Sequence, residues 1–130
     1  MEKETKIVYV MHRFGGDVDT LRKTREWCAF LSAHFDALFC APWVAFCEFW
    51  PNTGVTLRRG MALDFAAIRQ FDSGIAVGGL FSPGMMDERA YAEPLGKVIV
   101  DATAYETPNQ LLADSEGMRR LEEIYGRAPR

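Results

Sequence analysis

A chain of 130 residues, 48% hydrophobic and 25% charged with a net charge of −3, has the size and make-up of one globular domain. The domain is taken as residues 1–130, with a core over about 6–101 and a C-terminal tail and helix over 102–130. The acidic balance lacks the basic footprint of a nucleic-acid binder and disfavours an anionic membrane surface, so neither a nucleic-acid polymer nor a membrane is an expected partner.

Lys6–Met11 is a short β-branched run followed by a turn-like segment with Gly15-Gly16, and it reads as a buried strand. Asp17 or Asp19 can cap the next helix. Leu21, Thr24, Cys28, Leu31 and Phe35, at helical spacing and widened by Trp27 and Phe30, place it at about Val18–His34. Ala37–Ala41, stopped by Pro42, is a second strand. Trp43–Thr56 reads as a loop crowded with Trp43, Phe46, Phe49 and Trp50. Connecting loops are usually polar, so these rings pack on something: a satellite core beneath the loop, or a stacking wall for a flat ligand. Leu57–Phe71 is a second helix, Ser73–Val77 a third strand, Pro83–Glu93 a third helix ended by Pro94, and Lys97–Val100 a fourth strand. Ala102–Gln110 reads as a loop, and Ser115 as the cap of a last helix reaching about Tyr125.

This alternation predicts an α/β three-layer sandwich with a parallel sheet of four to five strands, flavodoxin- or Rossmann-like. In such folds ligands bind beyond the C-terminal ends of the strands. That rule gathers the segments after Met11, Ala41 and Val77 around one site. Met1–Lys6 is charged and lacks an apolar signal region, and no apolar run reaches the roughly 18 residues of a membrane span, so a cytoplasmic protein is expected. Three cysteines (Cys28, Cys40 and Cys47) without CxxC spacing, beside two histidines, make a poor disulfide framework and a poor metal site. Neither a metal nor a cofactor is expected.

Two carboxylates interrupt apolar helix faces. One stripe reads Leu57, Met61, Asp64, Ile68, Phe71; another reads Met85, Glu88, Ala92, Leu95. An ionised carboxylate is costly to bury without partners. Either each reaches the rim and pairs with an Arg, or they are there for chemistry; Glu88 has the further option of favouring a helix N-terminus. Asp72, between helix and strand, is ordinary turn chemistry. Ser82-Pro83-Gly84 follows a strand and opens a helix. Ser at the N-cap with Pro next is a helix-start signal, and the same geometry presents backbone N–H groups to an anion. A carboxylate beside a phosphate cradle suits chemistry on a nucleotide sugar.

The segment Ser82-Pro-Gly-Met-Met-Asp-Glu88-Arg-Ala-Tyr-Ala92-Glu-Pro-Leu-Gly96-Lys-Val98 resembles the signature of the nucleoside 2-deoxyribosyltransferase-like superfamily. That group holds the deoxyribosyltransferases, the nucleotide 5′-monophosphate N-glycosidases and many small bacterial and phage domains, which this chain resembles. Ala92 and Gly96-Lys97 follow Glu88 at the superfamily spacing, Asp64 stands before Asp72 as its base-contacting Asp does, and Val8-Tyr9-Val10 with His12 to Asp17 is similar to its first strand and loop. The resemblance covers about Lys6–Asp101. Ser82-x-Gly84 follows the monophosphate N-glycosidases, where it contacts the 5′-phosphate; deoxyribosyltransferases tend to carry an acid at the Ser82 position. His12-Arg13 departs from both patterns.

What the resemblance implies is cleavage of the N-glycosidic bond of a nucleoside or deoxynucleoside 5′-monophosphate. Glu88 is then the nucleophile that forms a glycosyl-enzyme, kept ionised by a nearby helix N-terminus. Asp64 protonates or hydrogen-bonds the departing base, and Tyr9 orients Glu88. Ser82, Gly84, Arg13 and His12 form the phosphate- and ribose-binding set, and Trp43 and Phe49 stack on the base. The alternatives are a nucleoside 2-deoxyribosyltransferase exchanging bases, and a noncatalytic nucleotide-binding sensor on the same fold. A homodimer or higher homo-oligomer is implied too, and the aromatics of Trp43–Trp50 give it a second motive.

Overall fold

A strand can consist of unbroken apolar residues only when both of its faces are covered. The computed structural model describes residues 4–14, 17–47 and 57–129, and it sets the run Ile7–Met11 (β1) in the interior of a sheet. β1 lies between β2 (Leu38–Cys40) and β3 (Ser73–Ala76), and β4 (Ile99–Asp101) pairs with the far side of β3. All pairings are parallel, in the order β2-β1-β3-β4. Val8, Tyr9, Val10 and Met11 are each 1% exposed or less.

Parallel crossovers are right-handed. The step from β1 out to β2 runs opposite to the later steps across to β3 and β4. Helix α1 (Val18–His34) therefore covers one face, and α3 (Leu57–Ile68) and α4 (Pro83–Ala92) cover the other. α3 packs against α4, while α1 packs against α5 (Pro108–Leu112) and α5 against α6 (Ser115–Tyr125). This is the three-layer α/β arrangement that the alternation predicts, with four strands. Trp27 is fully buried under α1 and its indole N–H donates to the Glu106 carbonyl at 3.3 Å. Phe39 and Tyr125 meet edge to face at 5.0 Å, which ties the tail to the base of the sheet. Among the described residues no helix is long and apolar enough to cross a membrane.

Several boundaries differ from the sequence expectation, each for a local reason. Asp17, not Asp19, caps α1, accepting from the Thr20 N–H at 2.8 Å, while Asp19 pairs with Arg22 and Lys23. Trp43–Thr56 does not begin as a loop. Trp43–Cys47 is a short helix, α2, started by turn bonds from Val44 to the Ala41 carbonyl and from Ala45 to that of Pro42. α3 ends at Ile68, where Gln70 and Phe71 donate to Ala67 and Ile68 and tighten the chain into a turn. α4 ends at Ala92 and passes into a 3-10 turn, Glu93–Leu95, so Leu95 leaves the apolar stripe and is 47% exposed. β4 starts at Ile99, after Lys97 has spent its backbone N–H on the Ala92 carbonyl at 3.3 Å and its ammonium on the Phe71 carbonyl at 2.6 Å. The loop predicted over 102–110 gives way to α5, with Thr107 capping and Pro108 first in the helix. The last helix is capped by Asp114, not Ser115: its carboxylate accepts from the Gly117 N–H at 3.2 Å and from the Tyr105 hydroxyl at 2.5 Å. Asp72 accepts from the Ile7 N–H at 2.7 Å and is structural.

Candidate active site

β1 and β3 are neighbours, and the chain leaves them toward opposite edges of the sheet, to β2 and to β4. The crevice that opens where the strand order reverses is the usual ligand position in an open parallel sheet. Here it is a cavity of about 430 Å³. His12, Arg13 and Phe14 reach it from the end of β1, Trp43 and Cys47 from α2, and Ser82 to Met85 from the start of α4. Met61 and Asp64 of α3 and Glu88 of α4 complete the wall. Segments far apart in sequence thus converge where the strand rule gathers them.

Asp64 and Glu88 line this one cavity, and Tyr9 stands beneath them. Glu88 is 6% exposed. It makes no ion pair among the described residues: the adjacent Arg89 instead bonds Glu93 at 3.4 Å and lies over the Phe81 ring at 4.4 Å. The Tyr9 hydroxyl, Asp64 Oδ1 and Glu88 Oε2 are all buried without a hydrogen-bond partner among the described residues. Such orphaned groups are uncommon in a folded interior. They sit close enough to couple electrically. Burial raises the Glu88 carboxyl to about 8, with the Asp64 charge adding to the effect, and burial raises Asp64 to about 7. The Tyr9 hydroxyl favours the ionised form of both carboxyls, and its own ionisation is pushed far up by burial and by their charges.

These shifts correct one expectation. The α4 N-terminus does not hold Glu88 ionised. Pro83 is the first residue of the helix and the first turn contains no acid, so Glu88 lies beyond the reach of the macrodipole. Desolvation dominates, and the two carboxyls titrate near neutrality as an interacting pair.

The start of α4 is built as the sequence indicates. Ser82 accepts from the Met85 N–H at 3.2 Å, and Met85 sulfur accepts from the Ser82 N–H at 3.4 Å. Pro83 has no N–H and that of Met85 is occupied, so Gly84 supplies the remaining first-turn amide for an anion. A methyl group at Gly84 would meet nothing within 4 Å. The capping role of Ser82 is therefore real, and its hydroxyl hydrogen is still available to a ligand.

His12 is buried, with Nδ1 2.7 Å from the Arg13 carbonyl. A carbonyl only accepts, so Nδ1 carries the proton and Nε2 has the lone pair. Burial lowers the His12 pKa, and Nε2 has no partner among the described residues. In this state Nε2 accepts from a hydroxyl or N–H and does not donate to a phosphate oxygen. The ring packs on Gly78, whose φ is 104° and where a Cβ would lie 2.5 Å from the imidazole.

Trp43 lines the cavity but is only 5% exposed; its indole N–H donates to the Val10 carbonyl at 3.2 Å and Phe14 leans on it at 6.1 Å. It is a fixed wall inside the chain, which removes it as a motive for oligomerisation. Phe49 lies outside the described residues. Phe14, Cys47, Met61 and Met85 line the cavity without having been singled out from sequence. For the two methionines a signal existed: each stands one helical turn before an acid, Met61 before Asp64 and Met85 before Glu88. The Cys47 thiol is raised to about 11, by burial first and then by Asp64. Cys28, Cys40 and Cys47 are free thiols. Among the described residues no group of three His, Cys, Asp or Glu side chains could hold a metal ion.

Comparison with protein-family models, with curated proteins and with solved structures gives no match to this chain.

Proposed function

We propose that this chain cleaves the N-glycosidic bond of a nucleoside or deoxynucleoside 5′-monophosphate. The observation that carries the reading is a pair of carboxyls, Glu88 buried and Asp64 half-buried, beside the Tyr9 hydroxyl and without an ion pair among the described residues, in a cavity also lined by the first turn of α4. The motif resemblance around Ser82 and Glu88 supports the same reading.

A glycosyl carboxylate mechanism needs one ionised and one protonated group. With Asp64 at about 7 and Glu88 at about 8, the singly protonated pair carries its proton mainly on Glu88, and the reactive arrangement, Glu88 ionised and Asp64 protonated, is its minor form. Glu88 in its carboxylate form attacks C1′, forming an ester bond as the C1′–N bond breaks. The bonding pair leaves with the base, and Asp64 gives it a proton. Water then adds to C1′ and yields its proton to Asp64, and Glu88 departs as carboxylate. Donation from the Tyr9 hydroxyl holds Glu88 ionised once ligand is bound. The 5′-phosphate sits at Ser82 and Gly84 with Arg13 beside it. His12 Nε2 accepts from a ribose hydroxyl, and Trp43 walls the base.

The test is incubation with a panel of nucleosides and their 5′-monophosphates, with and without a second free base. Base release from monophosphates in preference to nucleosides is expected. Base exchange outrunning release makes the chain a transferase, and a bound nucleotide that survives intact makes it a sensor. The resemblance also carries a homo-oligomer, which light scattering at micromolar concentration checks.

A further inference from the structure

Met61 faces two spaces. It lines the cavity beside Asp64, and it also lines a groove on the outer side of the α3–α4 pair with Ala62, Phe65, Asp87 and Ala90. Met61 stands one helical turn before Asp64 on α3, so the two side chains share a face. The groove behind it is roomy because Ala62 and Ala90 are small and exposed. Its back is firm because the Phe65 ring stacks flat on Tyr91, at 4.4 Å and 8°. The one residue common to both linings is therefore a half-buried, unbranched and easily displaced thioether chain.

We infer that Met61 is the partition that sets the size of base the site accepts, and that a base enlarged on its Asp64 side extends past it into the α3–α4 groove. The inference rests on the nucleotide reading for its substrate, because Asp64 marks where the base lies. The partition itself is a steric feature that needs no substrate to be seen. Replacing Met61 with Ala joins the two spaces and leaves α3 intact, since Ala is the best helix former and the site is only partly buried.

Cys47, which lines the same cavity, is a built-in reporter. Wild type, Met61→Ala and Met61→Leu are treated with iodoacetamide and, separately, with pyrenyl maleimide, and labelling at Cys47 is followed by peptide mass. The same proteins are assayed for base release from adenosine 5′-monophosphate and from its analogue benzylated on the exocyclic amine. Met61→Ala is expected to raise the ratio of bulky to small labelling at Cys47, and to raise the ratio of benzylated to plain turnover by roughly tenfold or more, the discrimination a few methylenes give in an apolar pocket. Met61→Leu keeps the volume and both wild-type ratios. Unchanged labelling in Met61→Ala, with base release intact, overturns the partition and leaves the nucleotide reading standing. A raised labelling ratio with no base release by any variant upholds the partition and overturns the nucleotide reading instead.

Discussion

Glu88 and Asp64 differ in what their removal costs. Glu88→Gln keeps the shape and loses the charge. It should bind a monophosphate and turn it over several orders of magnitude more slowly, because the nucleophile is gone and Asp64, the other carboxyl of the cavity, is engaged with the base. Asp64→Asn keeps the nucleophile and loses the proton. It should slow poor leaving groups most and good ones little. Burst and steady-state base release on the two variants separates these roles, and full activity in Glu88→Gln overturns the mechanism. The pH profile carries the same information. Attack needs Glu88 ionised and departure needs Asp64 protonated, so the active form holds one proton. With burial raising Asp64 to about 7 and Glu88 to about 8, kcat/KM should climb from pH 5 toward neutrality and fall at more alkaline pH. An acid limb near pH 4, the ordinary carboxylate range, would show that the dyad is not desolvated in the working enzyme.

At the scale of elements, the turn after β3 is where backbone and site depend on each other. Gly78 has φ of 104° and the His12 ring lies 2.5 Å from where a Cβ would be. Gly78→Ala therefore meets both a strained backbone and a clash. It should destabilise the fold by roughly 1–3 kcal/mol and displace His12, measurable as a lowered urea midpoint with an altered His12 imidazole resonance. Gly84→Ala is the contrast: nothing within 4 Å opposes it, so the midpoint should hold while monophosphate affinity drops. These elements also mark how far the sequence could be read. The strands, α1 and α4 were legible because apolar runs, a 3.6-residue stripe and Ser82-Pro83 all agree. Thr107-Pro108 carries the same start signal as Ser82-Pro83, but the helix it opens is five residues long, too short to show a stripe. Trp43–Cys47 is equally short, and its aromatic content looks like a loop anomaly until the turn bonds to the Ala41 and Pro42 carbonyls are seen. Asp64 and Glu88 were legible as acids on apolar faces. Phe14 and Cys47 were not, because their place in the cavity is set by how α2 and the β1 loop pack, which no local pattern encodes.

Across the whole molecule, the buried dyad and the buried histidine pull stability in opposite directions with pH. Asp64 and Glu88 have folded-state pKa values raised above their unfolded ones. From about pH 4 upward the unfolded chain has lost protons that the folded chain keeps, so their contribution is complete in acid and is lost as pH rises through the folded values. For Glu88 the slope can reach roughly 1.4 kcal/mol per pH unit within that window. His12 has a lowered folded pKa. Its contribution is complete above the ordinary histidine value and is lost as pH falls through the folded one. Two carboxyl slopes outweigh one histidine slope, so stability should already be falling at pH 5 and should decline from there to pH 8 more steeply than exposed ion pairs such as Arg22–Asp19 could cause. Glu88→Gln removes the largest alkaline penalty. Its Tm should match or exceed that of wild type at pH 8 and fall below it at pH 5, where the protonated acid is already neutral and better fitted to the site. Calorimetry of both proteins from pH 5 to pH 9 decides the matter: parallel Tm curves would mean that the Glu88 carboxyl is solvated and that its position on an apolar helix face has no electrostatic consequence.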